Sequence, residues 1–231
     1  MTTNASSNQG LDLSTLMSIS IHDIKNDINH LIGKVETIER TLTSDIKQKE
    51  NLSGIKEDAI KVNKQLVQLL ALYKADEGLL LPAIDQHGLT ELLEEKQKQY
   101  KTYCLAHQQT INILCDDELY AFFDEGLIAS VLDSAIDNAT RYAKQTIHLR
   151  AEQVNEFCII HVEDDGPGFP EEMLALPTAI QGIKHETSNT GLGLHFAQEV
   201  LAQHKNKTLR GKIILQKSEQ LGGACFSLLI P

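Results

Sequence analysis

Residues 157–169 read FCIIHVEDDGPGF, and this stretch decides the fold of the C-terminal part of the chain. Cys158, Ile160 and Val162 share one face by the two-residue period of a strand. Asp164 continues that face at the strand end, so a carboxylate is aimed inward. Asp165, Gly166, Pro167, Gly168 and Phe169 follow at once, and glycines there permit close approach of backbone to a ligand. Taken alone, the turn is equally consistent with nothing more than a strand end.

On the N-terminal side, VLDSAIDNATRYA (131–143) lies in a helix expected over 124–143. Leu127, Val131, Ala135 and Tyr142 mark its inward face, and Ser134 and Asn138 fall at the same spacing. Asn138 is therefore expected as a polar intruder facing the sheet. An unpaired buried amide costs about 1–3 kcal/mol, so the ordinary reading is an Asn bonded to nearby backbone. On the C-terminal side, Thr190, Gly191, Leu192, Gly193 and Leu194 open a helix expected over 191–204, where free amides make a phosphate site. No GK[ST] follows and no strand directly precedes, so this is neither a Walker loop nor a dinucleotide fingerprint.

Further outward the pattern gives a helix at 88–106 and strands at 109–115, 146–151, 157–164, 212–217 and 224–230. The expected fold class is α+β, with helices on one face of a mainly antiparallel sheet. Upstream the period changes. Ile21, Ile24, Ile28, Leu31, Val35, Ile38 and Leu42 alternate at steps of three and four, as do Ile55, Ala59, Val62, Leu66, Leu69 and Tyr73. Asn51, Ser53 and Gly54 supply cap and turn residues between the halves, giving a long helical hairpin. A second apolar row, Ile60, Val67 and Leu70, is more than one hairpin covers, which favours a dimeric four-helix bundle. The expected division is a disordered 1–10, a hairpin over 11–76, a Gly- and Pro-bearing linker over 77–85 and a second domain over 86–231.

The charge balance is 21 Lys+Arg against 32 Asp+Glu, a net of −11 that repels nucleic acid and anionic lipid. Cys104, Cys115, Cys158 and Cys225 show no CxxC spacing and read as reduced core residues. No apolar run approaches the roughly 20 residues of a membrane helix, and the first ten residues lack signal-peptide character, so a cytoplasmic protein is expected.

Taken together, VLDSAIDNATRYA, DDGPGF, TGLGL and GGACFSLLIP, behind a hairpin bearing HDIKN, resemble the N box, the two glycine boxes, the terminal strand and the H box of two-component sensor histidine kinases. These belong to the GHKL ATPase superfamily. The resemblance implies a Bergerat-type α/β sandwich that binds ATP, after a dimerisation and phosphotransfer hairpin. It implies that Asn138 ligates Mg²⁺ and that Asp164 bonds the adenine amino group. Gly166, Gly168, Thr190, Gly191, Leu192 and Gly193 would shape the nucleotide pocket, with Arg141 and Tyr142 near phosphate and base. Lys184 and His185 lie in the expected ATP lid. Ser134 departs from the family, many members of which carry a further Asn there.

His22, Lys25 and Asn26 share a helical face, which a solvated surface histidine would do equally well. By the resemblance, His22 is the phosphoacceptor, Asp23 orients and deprotonates it, and Asn26 positions water for regulator dephosphorylation. Asp27 stands where a proline is frequent, which implies a straighter first helix. The implied partners are a response regulator receiver domain, a second copy of the chain and a separate sensor protein. The alternative is a non-catalytic phosphotransfer or adaptor protein with a degenerate ATP-binding domain, and an anti-sigma type serine kinase is a further rival that HDIKN disfavours.

Overall fold

The computed structural model of the protein describes residues 24–26, 28–38, 46–174 and 192–231. Expectations for the first 23 residues and for Asp27, Lys184 and His185 lie outside them. The chain divides into two units, Met1–Tyr73 and Lys74–Pro231.

In the first unit, residues 24–26 and 28–38 are helical, the longer run being α1, and α2 spans Ile46–Asp76. Lys56 Nζ pairs with Glu36 Oε1 at 2.9 Å, and Asn63 Nδ2 donates to Asn29 Oδ1 at 3.0 Å. The partners advance in opposite chain directions, so α1 and α2 run antiparallel. Asn51, Ser53 and Gly54 lie inside α2 and do not form the turn expected of them. A mid-helix glycine costs only about 1 kcal/mol relative to alanine, which a helix of this length absorbs through its packed face. Val35 is buried, whereas Ile24, Leu31, Ile38, Ile55, Val62 and Leu69 are exposed. The exposed residues recur every seven positions on each helix.

In the second unit, α3 spans Leu89–Ala106, α4 Glu125–Tyr142, α5 Glu171–Leu174 and α6 Leu192–Gln203. A five-stranded sheet runs in the order β2 (Thr110–Leu114), β4 (Thr146–Val154), β5 (Phe157–Asp164), β9 (Ala224–Ile230) and β8 (Lys212–Lys217). Only β2 and β4 are parallel; the remaining pairs are antiparallel. Two small ladders were not legible in the sequence pattern: β1 (Asp85–Gly88) with β3 (Tyr120–Phe123), and β6 (Lys205–Asn206) with β7 (Leu209–Arg210).

The two faces of the sheet are built differently. On one, Ile147, Leu149, Ile160 and Leu228 pack with Leu89, Leu93, Ile128, Leu132, Ile136, Phe196 and Leu201 of the helices, all fully buried. Each such side chain stabilises by about 1.5–3 kcal/mol, so this layer contributes most of the cohesion. The other face carries an ionic network. Arg150 donates to Glu152 at 2.6 Å and to Glu163 at 3.1 Å, while His161 bonds Glu152 at 3.1 Å and Ser227 at 2.8 Å. Burial, then the Arg150 charge, holds the His161 imidazole below its ordinary pKa. Cys104, Cys158 and Cys225 are buried as expected, while Cys115 at the end of β2 is only half-buried, and all four thiols are free.

Asp124 joins three segments. As the N-cap of α4 its Oδ1 accepts from Leu127 N at 2.9 Å, its Oδ2 accepts from Ala83 N at 2.8 Å, and its own N–H donates to His204 Nε2 at 3.1 Å. His204, at the end of α6, bonds Val200 O through Nδ1 at 2.8 Å. The ring thus donates at Nδ1 and accepts at Nε2, which only the neutral imidazole can do. Burial, the largest effect, lowers its pKa. A depressed histidine leaves the unfolded chain binding more protons, so stability present above the ordinary value of 6.5 is lost as pH falls through the window below it. His204→Gln cannot take up that proton, and urea unfolding on either side of that value should show a flatter pH dependence than in the parent protein.

Candidate functional site

Asp164 ends β5 facing the helices and is only 5% exposed. Its Oδ1 accepts from Gly166 N at 2.8 Å and from Ala224 N at 3.2 Å. Oδ2 takes part in no hydrogen bond among the described residues. Burial pushes the carboxyl above its ordinary value, and the two amides partly offset this. The backbone is drawn in tightly around it. A Cβ on Gly223 would lie 2.3 Å from Asp164 O, and one on Gly166 would lie 2.5 Å from Tyr142 O. Neither position admits a side chain. Gly168 follows with φ of +82°, the left-handed region that favours glycine.

The second wall is α4, and here the sequence expectation requires correction. The buried stripe is Ile128, Val131, Leu132, Ala135, Ile136, Ala139 and Thr140. Val131 and Ala135 belong to it as expected, but Leu127 is half-buried and Tyr142 is half exposed. Asn138 is exposed instead of facing the sheet. The apolar arc is centred about one residue further round the helix than the expected stripe, which turns Ser134 and Asn138 toward its margin. Arg141 is likewise exposed. At the start of α6 a Cβ on Gly193 would lie 2.5 Å from Ser134 Oγ, so the two helices approach closely at that point. Leu192 and Gly193 are half-buried, while Thr190 and Gly191 lie outside the described residues.

Tyr142 thus meets the turn after Asp164 and Ser134 meets the start of α6, and the stretch of α4 that carries Asn138 and Arg141 runs between these two approaches. Asn26 is helical and exposed in the first unit, and His22 and Asp23 lie outside the described residues. Among the described residues, no cluster of three or more His, Cys, Asp or Glu side chains can hold a metal ion. A divalent ion at Asn138 would take most of its ligands from phosphate and water, which suits Mg²⁺.

Sequence reasoning missed Asp165 as a structural clamp. Its carboxylate accepts from the backbone amides of Lys144 at 2.7 Å, Gln145 at 3.1 Å and Thr146 at 3.1 Å, fastening the segment after α4 to the end of β5. Desolvation pushes this carboxyl up, but the amide bonds outweigh it and hold it below the usual carboxylate range. The only signal in the sequence was an acidic residue directly before a glycine turn.

Residues 123–231 match the family model described as histidine kinase-, DNA gyrase B-, and HSP90-like ATPase. The sensor histidine kinase YkoH of Bacillus subtilis (strain 168) is 30% identical over 187 residues, covering 75% of this chain and 40% of its own. The sensor protein KdpD of Clostridium acetobutylicum is 25% identical over 225 residues, covering 94% of this chain and 24% of its own. The chain thus spans less than half the length of these curated relatives. Among solved structures, the histidine kinase AdeS of Acinetobacter baumannii superposes with a TM-score of 0.58 at 21% identity, over 88% of this chain and 94% of the solved AdeS chain. Full-length ShkA in complex with AMPPNP gives 0.66 at 16% identity, over 94% of this chain and 45% of ShkA. At these identities the structures establish the fold alone. No helix among the described residues is long and apolar enough to cross a membrane.

Asp165→Asn exchanges one acceptor oxygen for a donor that faces backbone N–H groups. Because the carboxylate is partly open to solvent, the expected loss is about 1 kcal/mol near neutral pH. A depressed carboxyl contributes stability above its ordinary value of 3.8 and loses it as pH falls through the lower folded value. Urea unfolding should therefore separate variant and parent at neutral pH and bring them together only in strong acid.

Proposed function

The chain belongs to the GHKL histidine kinases, and on that premise we propose that it uses Mg-ATP to phosphorylate His22 and passes the phosphoryl group to an Asp of a response regulator. The supporting observation is the Asp164 carboxylate. One oxygen is held by two backbone amides while the other takes part in no described hydrogen bond, which suits it to accept from an exocyclic amine. The fold neighbour determined with AMPPNP supports an adenine nucleotide as the ligand.

Asn138, exposed on α4, would hold Mg²⁺ together with phosphate oxygens, and the ion would supply positive charge against the transferring group. Arg141 and Tyr142 contact phosphate and base. Gly166, Gly168, Thr190, Gly191, Leu192 and Gly193 line the nucleotide. The neutral imidazole of His22 attacks the γ-phosphorus as the bond to the ADP oxygen breaks, and Asp23 draws off the imidazole proton. Asn26 orients water for the reverse duty of dephosphorylating the regulator. Since ATP and receiver domains are cytoplasmic, the activity belongs there.

The seven-residue recurrence of exposed Ile24, Leu31 and Ile38 with Ile55, Val62 and Leu69 supports a homodimeric bundle. At about 1.5–3 kcal/mol for each aliphatic buried, a second copy covering both rows outweighs the entropy of association.

Asp164→Asn keeps an acceptor for Gly166 N and Ala224 N but no longer buries a charge. Because burial has raised the Asp164 carboxyl, the ionised form opposes folding, and its stability contribution falls as pH rises through the raised value. The variant should melt no lower than the parent at neutral pH while binding ATP about tenfold more weakly, as measured by calorimetry. Loss of stability with retained affinity would assign Asp164 to the fold instead.

The reaction is tested with γ-labelled ATP and Mg²⁺. Label on the parent chain should be acid-labile and alkali-stable. His22→Gln should lose it while still binding ATP and sedimenting as a dimer, and Asn138→Ala should lose it while remaining folded. Acid-labile label on His22→Gln at the parent rate would remove the assignment. A parent chain that binds no ATP would instead favour the non-catalytic adaptor.

A further inference from the structure

The Asn138 side chain, exposed on α4, makes no hydrogen bond among the described residues, so whatever fixes its amide acts through the backbone of the helix. The apolar stripe of α4 sets which side of the helix faces the sheet, but packing supplies no directional bond to fix the roll more finely. A directional restraint comes from α3. Lys96, only 4% exposed, places Nζ 2.8 Å from Asp133 Oδ1. Tyr100, also buried, donates its hydroxyl to Asp137 Oδ1 at 2.6 Å and lies 3.1 Å from Asp133 O. Asp133 and Asp137 are one turn apart on one flank of α4, roughly 6 Å along its axis. Two polar bonds at that separation fix both the roll and the axial position of the helix. Asp137 is the residue immediately before Asn138.

We propose that Tyr100, through its hydrogen bond to Asp137, is a positioning residue that holds Asn138 at the angle needed to coordinate the nucleotide-bound divalent cation. This rests on the reading of Asn138 as the metal ligand. Burial first, and then the charges of Asp137 and Asp133, drive the Tyr100 hydroxyl far above its ordinary pKa, so it remains a donor at every working pH. Loss of the hydroxyl proton therefore does not interrupt the bond. Gly193 against Ser134 bounds the same helix where α6 begins, so a roll of α4 in either direction meets resistance from a neighbouring helix.

A residue that only stabilises the fold would alter affinity for nucleotide with and without metal alike. A residue that aims Asn138 alters only the metal-dependent part. The test is calorimetric titration of the full chain with AMPPNP, once with Mg²⁺ and once with EDTA, giving the ratio of the two affinities. Tyr100→Phe keeps the ring and deletes the donor; its ratio should fall roughly three- to tenfold, with the EDTA affinity unchanged. Asp137→Ala should reproduce that loss, and it decides the matter should Tyr100→Phe fail to fold. Asp137→Asn retains an acceptor and should restore most of the ratio. An unchanged ratio in both Tyr100→Phe and Asp137→Ala, or equal losses with Mg²⁺ and EDTA, would overturn the proposal. Asn138→Ala run alongside separates the two ideas: if it abolishes the ratio while Tyr100→Phe does not, the clamp alone fails. If Asn138→Ala leaves the ratio intact, the metal reading fails and takes the clamp with it.

Discussion

One end of the second unit is organised around a single oxygen. Asp164 Oδ1 is shared by the amides of Gly166 and Ala224, so the end of β5, the turn after it and the beginning of β9 converge on a single buried acceptor. The convergence is possible only because Gly223 and Gly166 carry no side chain, as a Cβ at either position would overlap a backbone oxygen. Asp165 then extends the arrangement by drawing in three amides from the segment after α4. Two adjacent carboxylates thus have opposite situations. Asp164 is buried and pushed up, whereas Asp165 is stabilised in its ionised form and held down.

What could be read from the chain, and what could not, follows from the type of signal. The strand ending in Asp164 was legible because its period of two ran without interruption into a buried carboxylate. The face of α4 was misjudged because its buried arc is broad enough to include Val131 and Ala135 under either stripe, leaving the side of Asn138 undecided by those two residues. The expected turn at Asn51, Ser53 and Gly54 failed because these residues are only weak helix breakers within a 31-residue helix. The short ladder of β1 and β3 escaped notice because each strand has only 4 residues, too few for a period to emerge. Asp165 and Tyr100 were invisible for a different reason. Their roles lie in bonds to backbone and side chains 19 to 37 positions away, which no local pattern records.

The outer face of the sheet has a consequence for modularity. A sheet with one greasy and uncovered side would have to be sealed by whatever protein surrounded it, and would be committed to that context. Here Arg150, Glu152, His161, Glu163 and Ser227 cover that side with bonds made among themselves. The domain brings its own lining. A face lined in this way needs no partner surface to seal it, so the fold of the unit does not hang on what adjoins it.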